Sequence, residues 1–326
     1  MATKRVLFID YAKGIAILLM LLQHSIPQHN FLRQVIQSFV TPFFLVAGGY
    51  IWNLKMVYGK EVRLSWVYFK KRFKRLGVPY LLAGSVLVFF YGVLSIISGG
   101  HSVLRNLIRL ISLQGIDSLW FLPVYFCSEV LFLWVISFKD KRYQLSLIVA
   151  VPLLLMFLAQ YDGLPWPYGL FESSLIGLVF FYIGYSFSCY RLEGLNSIIV
   201  VVLCILGLIG SYYNGFASFA KLNSPILFCL IGSILSIVLL AVCKWIESSG
   251  LRATKFLSFW GRETLFILCT NNLIIESVRL MDHWVSNDWL LNHGMLGNFI
   301  MFMIISLLEA LLIKSFRSVP CLFYEK

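Results

Sequence analysis

The sequence predicts an all-α integral membrane protein, and its composition is the first reason. Of its 326 residues, 60% are hydrophobic and 13% are charged, and the mean hydropathy is +0.84. A soluble core does not need so large an apolar fraction. We find no linker, repeat or soluble second domain, so residues 1–326 are predicted to form a single multi-helix membrane domain.

The second reason is the length of the apolar stretches. A membrane helix needs about 20 apolar residues to cross about 30 Å of hydrocarbon. Ten predicted spans cover residues 8–26, 36–54, 77–98, 118–138, 144–161, 170–190, 195–213, 224–243, 259–280 and 296–313. The first is interpreted as a span and not as a signal peptide, because Lys13 lies inside it and no small-residue cleavage site follows it.

The third reason is the distribution of basic residues. If the N-terminus is cytoplasmic, twenty of the 27 Lys and Arg residues fall in cytoplasmic segments and five in external ones. Positive charge is concentrated on the cytoplasmic side of membrane proteins, so both termini are predicted to be cytoplasmic.

This topology also explains the net charge of +12, which therefore does not indicate a nucleic-acid partner. The cysteines have neither paired spacing nor a CxxC motif and are interpreted as packing or lipid-facing thiols: Cys127, Cys189, Cys204, Cys229, Cys243, Cys269 and Cys321.

One stripe of the first span carries an acid, an amine and an imidazole. Asp10, Lys13 and His24 return to the same face of a helix that advances about 100° per residue. Ionisable groups within a membrane usually mark a pathway or a reaction centre. His24 taken alone is also compatible with a simple interfacial position, but an imidazole in this company can accept a proton from a hydroxyl near neutral pH.

The densest basic run precedes the third span. Five cations occur within residues 70–75, and they include Lys71, Arg72 and Arg75. Anchoring against anionic headgroups explains such a run. On a helical turn, however, Arg72 and Arg75 face one way and can chelate a diphosphate or a 3′-phosphate, with Lys71 beside them.

Together these motifs resemble the acyltransferase-3 family of integral-membrane acyltransferases. They are Asp10-x-x-Lys13-Gly14-x-Ala16-Ile17 with His24, Thr41-Pro42-Phe43-Phe44 with Gly48-Gly49-Tyr50, Arg72-x-x-Arg75, Leu119-Trp120-Phe121-Leu122-Pro123, and Gly261-Arg262-Glu263-Thr264-Leu265-Phe266-Ile267. Many members have arginine in place of Lys13. Many also have a histidine at the position that corresponds to Asn271, so no role is carried over to that residue.

The resemblance implies a membrane O-acyltransferase of the glycan O-acetyltransferase type, without an appended hydrolase-like domain. Acetyl-CoA would be the acyl donor, bound from the cytoplasm by Arg72, Arg75 and Lys71. A hydroxyl of a cell-envelope or surface glycan, either free or lipid-linked, would be the acceptor. The chain would lie in a bacterial-type inner or plasma membrane and would complete the transfer itself or pass the acyl group to another protein.

Within this expectation His24, Lys13 and Asp10 are the candidate catalytic residues. His24 either deprotonates the acceptor hydroxyl or is itself acylated first. Lys13 is expected to pair with Asp10 or with Glu129, which lies at a similar depth in the fourth span, because an unpaired charge there is costly.

Other side chains are expected near the outer level of His24. Glu172 and Glu276 either orient its imidazole or simply face water at the interface. Trp120 is interpreted as part of an aromatic belt or as a platform for stacking sugars, and Trp166 and Trp284 share that alternative.

Two other functions remain open at this point. A transporter or flippase for a lipid-linked saccharide would also have ten helices and buried charges, although such proteins often have two similar halves that we do not find here. A transferase that uses succinyl-CoA or another short acyl-CoA is the chemical alternative. The remaining histidines have no metal-ligand spacing, so no metal is predicted: His29, His101, His283 and His293.

Overall fold

The computed structural model describes residues 6–27, 29–57, 65–98, 103–158, 168–188, 195–216, 224–250, 254–286 and 288–316. These residues form helices joined by turns. The α-helices are α1 (Leu7–Ser25), α2 (Phe31–Val57), α3 (Trp66–Ser98), α4 (Val103–Ile111), α5 (Phe121–Ile136), α6 (Lys141–Leu158), α7 (Tyr168–Phe187), α8 (Ser197–Asn214), α9 (Pro225–Ser249), α10 (Thr254–Arg262), α11 (Thr264–Ser286), α12 (Trp289–Asn292) and α13 (Gly294–Phe316). A 3₁₀ turn, Asp117–Trp120, leads directly into α5.

The helices confirm the predicted fold class. Within the described residues, nine helical segments are long and apolar enough to cross a membrane. They correspond to nine of the ten predicted spans. The remaining one, over residues 144–161, coincides with α6, which ends at Leu158, and residues 159–161 lie outside the described part of the chain.

The main differences from the predicted spans concern α3, the span over 259–280 and α4. Helix α3 begins at Trp66 and not near residue 77, so the basic run is already helical. The predicted span over 259–280 is divided at Glu263 into α10 and α11. Helix α4 was not predicted, because its nine residues are too short and too polar on one face to resemble a span.

The helices are grouped into two compact units. Unit 1 contains residues 1–23, 28–64 and 127–262, and unit 2 contains residues 24–27, 65–126 and 263–326. Both units are assembled from separate stretches of the chain. The single-domain assignment made from the sequence stays a prediction.

In unit 1, α2 is the central helix and packs most extensively against α7 and α9. Glycines allow the backbones of α2 and α7 to touch. A Cβ atom added at Gly49 would lie 1.9 Å from the carbonyl oxygen of Phe181, and one added at Gly184 would lie 1.9 Å from that of Val46. Small residues permit this close approach between membrane helices, where van der Waals packing and not hydrophobic exclusion drives association.

In unit 2, α3, α4, α11 and the 3₁₀ turn surround one apolar core. Leu87 from α3, Leu110 from α4 and Leu119 from the turn are at most 4% exposed within it. The hydroxyl of Tyr80 donates to the carbonyl oxygen of Leu110 at 2.8 Å, which satisfies a polar group inside that core. Helix α13 packs against α11 and α12.

Candidate functional site

The predicted polar stripe lies on one unbroken helix, because α1 runs from Leu7 to Ser25. Asp10 and Lys13 belong to unit 1, and His24 belongs to unit 2. Near the N-terminus of α1, the carboxylate of Glu247 accepts a hydrogen bond from the backbone N–H of Phe8 at 3.3 Å, which satisfies a free amide of the first turn.

In unit 1, Asp10 lies against the end of α10. Its Oδ2 atom is 3.9 Å from Nε of Arg262, and the residue is only 7% exposed. A Cβ atom at Gly261 would lie 1.8 Å from the carbonyl oxygen of Asp10, and one at Gly14 would lie 2.1 Å from that of Leu257. The two glycines therefore let the backbones of α1 and α10 touch, which places the carboxylate beside the arginine.

Arg262 is a partner of Asp10 that the sequence analysis missed. The sequence offered one indication of its importance: Lys13 and Arg262 are the two basic residues that lie inside or at the edge of a predicted span. Its glycine neighbour, in the Gly261-Arg262 motif, now has a physical explanation in helix packing.

Glu129 is a second buried carboxylate of unit 1. It is 1% exposed, and its Oε1 atom accepts a hydrogen bond from the Trp52 indole N–H at 2.8 Å. Trp52 lies on α2, so this bond joins α2 to α5. The structure thus gives Glu129 a neutral donor, and the pairing of Lys13 with Glu129 or Asp10 stays a prediction.

In unit 2, the basic run forms the first turns of α3. Arg72 lies over the ring of Tyr125, with its guanidinium carbon 5.6 Å from the ring centroid. Lys71 and Arg75 are exposed, and Arg75 is one turn after Arg72 on the same helix. A cation–π contact uses the face of a guanidinium group, whereas phosphate oxygens bind its N–H edge, so Arg72 can make both interactions.

His24 lies near the end of α1, where Arg279 of α11 contacts it. The Nη2 atom of Arg279 donates to the backbone carbonyl oxygen of His24 at 3.1 Å. Its Nη1 atom donates to Oε1 of Glu276 at 2.8 Å. A cation on a carbonyl of the last turn is favourable, because those carbonyls lack helical partners and carry partial negative charge.

Glu276 is therefore linked to His24 through Arg279, which binds the Glu276 carboxylate and the backbone carbonyl oxygen of His24. Its predicted contact with the imidazole stays a prediction. Arg279 was counted in the sequence only as an external basic residue. The i, i+3 spacing of Glu276 and Arg279 was a signal that could have identified their ion pair.

A second pair in unit 2 joins α3 to the 3₁₀ turn. The Tyr91 hydroxyl donates to Oδ2 of Asp117 at 2.5 Å. Asp117 has a φ of +48°, a left-handed conformation that aspartate adopts more readily than most residues other than glycine.

The 3₁₀ turn also contacts the middle of α11. Ser118 donates to Oδ1 of Asn271 at 2.8 Å and accepts a hydrogen bond from Nδ2 of Asn272 at 2.7 Å. Asn271 precedes Arg279 by eight residues, or about 12 Å along a helix. The turn ends at Trp120, and its Leu119 is fully buried in the core of unit 2. The outer level expected for Trp120 stays a prediction.

One buried carboxyl group was not considered in the sequence analysis. Glu309 of α13 has no exposed surface, and its Oε2 atom accepts a hydrogen bond from Oγ1 of Thr270 at 2.9 Å. Its Oε1 atom has no hydrogen-bond partner within the described part of the chain. A lone glutamate inside an apolar helix of 23 residues was the signal available in the sequence.

The other predicted residues are placed as follows. Glu172 is half-buried on α7 in unit 1, so its predicted action on His24 stays a prediction. Trp284 is exposed on α11, while Trp166, His101, Cys189 and Cys321 lie outside the described residues. Cys127, Cys204, Cys229, Cys243 and Cys269 are free thiols within helices. Among the described residues, no three His, Cys, Asp or Glu side chains are grouped as metal ligands.

Comparison with known families identifies the chain at the level of its family. The sequence profile of the acyltransferase-3 family, which describes an acyltransferase domain, matches residues 6–313. Neither the search of curated proteins nor the search of solved structures gave a match. The matched region includes α1, α3 and α11, which carry the polar side chains described above, and it confirms the resemblance found in the motifs. The chain therefore belongs to the acyltransferase-3 family and is a multi-pass membrane acyltransferase.

Proposed function

We propose that this acyltransferase moves an acetyl group from cytoplasmic acetyl-CoA to a hydroxyl of a cell-envelope glycan. We place it in a bacterial-type inner or plasma membrane. One observation carries the proposal: the arginine pair of α3 and the histidine of α1 belong to the same compact unit. The unit contains cations suited to a nucleotide at one level and a base suited to a hydroxyl at another.

The basic side chains at the start of α3 complement the phosphate charges of coenzyme A, which supports acetyl-CoA as the donor. Coenzyme A carries a diphosphate and a 3′-phosphate, and Arg72 and Arg75 present two guanidinium groups one helical turn apart. Both lie on the side that the distribution of basic residues predicts to be cytoplasmic, where coenzyme A is available. Lys71 adds a third cation that is exposed to the same solvent.

The imidazole of His24 can take part in transfer to a hydroxyl acceptor by two routes. In the direct route, the imidazole takes the proton of the acceptor hydroxyl while its oxygen attacks the thioester carbon. A C–O bond forms, the C–S bond breaks, and the thiolate of coenzyme A leaves and takes up a proton. In the alternative route, the imidazole nitrogen attacks first and the acyl group passes from His24 to the hydroxyl.

Position favours an acceptor on the outer side, since His24 lies in the last turn of a helix whose N-terminus is predicted to be cytoplasmic. The acceptor is therefore an envelope or surface glycan, whether free or linked to a lipid. Lys13 and Asp10 remain the predicted catalytic partners of His24 on α1.

Binding of acetyl-CoA to the purified protein tests the donor. The double variant Arg72→Ala, Arg75→Ala should weaken binding by about tenfold or more, because each charge-assisted bond to phosphate contributes about 1.5–3 kcal/mol. Lys141→Ala with Arg142→Ala is the matched control, since these residues are also exposed and predicted to be cytoplasmic.

Equal loss of binding in both double variants would mean that general positive charge, and not the pair on α3, holds the nucleotide.

Binding of succinyl-CoA, measured in parallel, shows which acyl group the protein prefers. Tighter binding of succinyl-CoA than of acetyl-CoA would identify succinyl-CoA as the donor. If neither thioester binds while a lipid-linked saccharide is flipped, the transport function becomes the better description.

A further inference from the structure

Helix α11 carries three consecutive polar residues within unit 2, namely Thr270, Asn271 and Asn272. Asn271 is the most deeply buried of the three. Asn271 has no exposed surface, and Asn272 is 6% exposed. Both lie within an apolar helix that is long enough to span a membrane. A buried amide in such a position normally has all of its donors and acceptors satisfied.

The amide oxygen of Asn271 has a partner. Ser118 donates to it at 2.8 Å, and the same hydroxyl is held by the Nδ2 atom of Asn272 at 2.7 Å and lies 3.1 Å from the carbonyl oxygen of Leu268. These contacts fix the direction of the side chain. The amide plane of Asn271 is thus set before any ligand arrives.

The amide nitrogen of Asn271 has no hydrogen-bond partner among the described residues, although its surface is fully enclosed. An unpaired N–H group inside a protein costs free energy, and the cost is removed when a ligand brings an acceptor atom. This orphaned donor therefore points to a ligand atom that accepts hydrogen bonds.

An acyl transfer provides such an atom. When the nucleophile attacks the thioester, the electron pair of the C=O double bond moves onto the carbonyl oxygen, which becomes negatively charged. When the intermediate collapses, the double bond re-forms and the C–S bond breaks. A neutral donor that is already oriented stabilises this oxygen without reorganising during the step.

We propose that the side-chain amide of Asn271 binds the carbonyl oxygen of the acyl group and stabilises the oxyanion formed during transfer. The inference rests on the proposed function and adds a catalytic residue to it. Ser118 and Asn272 are positioning residues, because they hold the amide and leave its nitrogen free.

The test compares Asn271→Leu with the wild-type protein. Leucine keeps the branched shape of the side chain but is larger, and it removes both N–H donors together with the acceptor of Ser118. The kcat for acetyl transfer should fall by about 100- to 1,000-fold. The affinity for acetyl-CoA should change much less than kcat, because the proposed phosphate contacts at Arg72 and Arg75 remain in place. Asn271→His, which retains an N–H donor, should recover part of the rate.

Asn53→Leu is the matched control. Asn53 is a buried amide of unit 1 whose nitrogen is satisfied by the carbonyl oxygen of Tyr185 and by Ser188. Its loss should lower Tm but leave kcat per folded molecule close to the wild-type value. The control separates the general cost of losing a buried amide from the loss of a donor to substrate.

Infrared difference spectra of bound acetyl-CoA, labelled with ¹³C at the carbonyl, supply a second readout that does not require turnover. The carbonyl band should lie at a lower frequency in the wild-type protein than in Asn271→Leu. Should Asn271→Leu fold poorly, the same spectrum of Asn271→His should retain the shift.

The inference is overturned if Asn271→Leu keeps the wild-type kcat, or if the carbonyl band is the same in both proteins. In that case the orphaned amide faces an internal water. A wild-type protein that binds no acetyl-CoA would refute the proposed function itself, whereas normal transfer by Asn271→Leu would refute only the role of Asn271.

Discussion

Arg279 connects α11 to the last turn of α1 and thereby fixes the backbone that carries His24. One guanidinium group contacts both the Glu276 carboxylate and the His24 carbonyl oxygen. A general base must hold its orientation to within a fraction of an ångström to remain effective. Arg279 is therefore a positioning residue for the histidine.

Replacing Arg279 tests this role. Arg279→Ala should lower kcat for acyl transfer by about tenfold, the equivalent of about 1.4 kcal/mol, while acetyl-CoA affinity is retained. Arg279→Lys should fall between the two, because an ammonium group cannot make the same two-pronged contact. Steady-state kinetics give both values, with Arg109→Ala on exposed α4 as the control. An unchanged kcat in Arg279→Ala would mean that the α1 end needs no such anchor.

Individual residues differ in how well the sequence predicted them. His24, Arg72 and Arg75 were proposed as site residues because their residue type and spacing are unusual for a membrane segment, and their roles stay predictions. Arg279 and the network of Asn271 were not found, because their significance depends on contacts between α11 and segments more than 100 positions away in the sequence. Spacing within one helix cannot show such contacts.

Pairs of glycines on facing helices position the elements of unit 1. Gly49 and Gly184 bring α2 against α7, and Gly14 and Gly261 bring α1 against α10. The second contact matters for the site, since it places Asp10 beside Arg262. The glycines in three of the family motifs, Gly14, Gly49 and Gly261, therefore have a role in packing.

Alanine substitutions on α7 test the first contact. Gly184→Ala should lower Tm by roughly 5 °C or more, since its Cβ would lie 1.9 Å from a backbone oxygen and the helices must separate. Gly169→Ala, on the same helix with open space around it, should leave Tm unchanged. Thermal unfolding in detergent measures both. Equal Tm values for the two variants would contradict the close helix contact.

The sequence predicted the long helices better than it predicted the breaks and short elements between them. Hydropathy identifies long apolar runs, and these correspond to α1, α2, α7, α8, α9 and α13. It does not reveal the break at Glu263. It also does not reveal the 3₁₀ turn or α4, since these depend on which side chains are buried in the core of unit 2. Burial of Leu119 and Leu110 there draws the turn and α4 against α3 and α11.

For the whole molecule, topology decides which substrates can reach which end of each unit. The excess of basic residues in alternate segments predicts cytoplasmic termini. The same assignment puts Arg72 on the cytoplasmic side and His24 near the outer surface. The proposed route of the acyl group depends on this orientation.

Cysteine labelling in intact cells checks the topology in a cysteine-free background. Lys141→Cys, at the start of α6, should react with an impermeant thiol reagent only after the membrane is opened. Asp288→Cys, between α11 and α12, should react in intact cells. Reversed accessibility at the two positions would place His24 on the cytoplasmic side and exclude an external acceptor.

The most direct test of the account is transfer of labelled acetyl groups from acetyl-CoA to glycan by membranes that contain this protein. Wild-type membranes should label the glycan fraction. His24→Ala should reduce labelling by about 100-fold or more while acetyl-CoA is still bound, since the general base or nucleophile is lost. Labelling by His24→Ala at the wild-type rate would contradict the assignment of His24 as the reacting group.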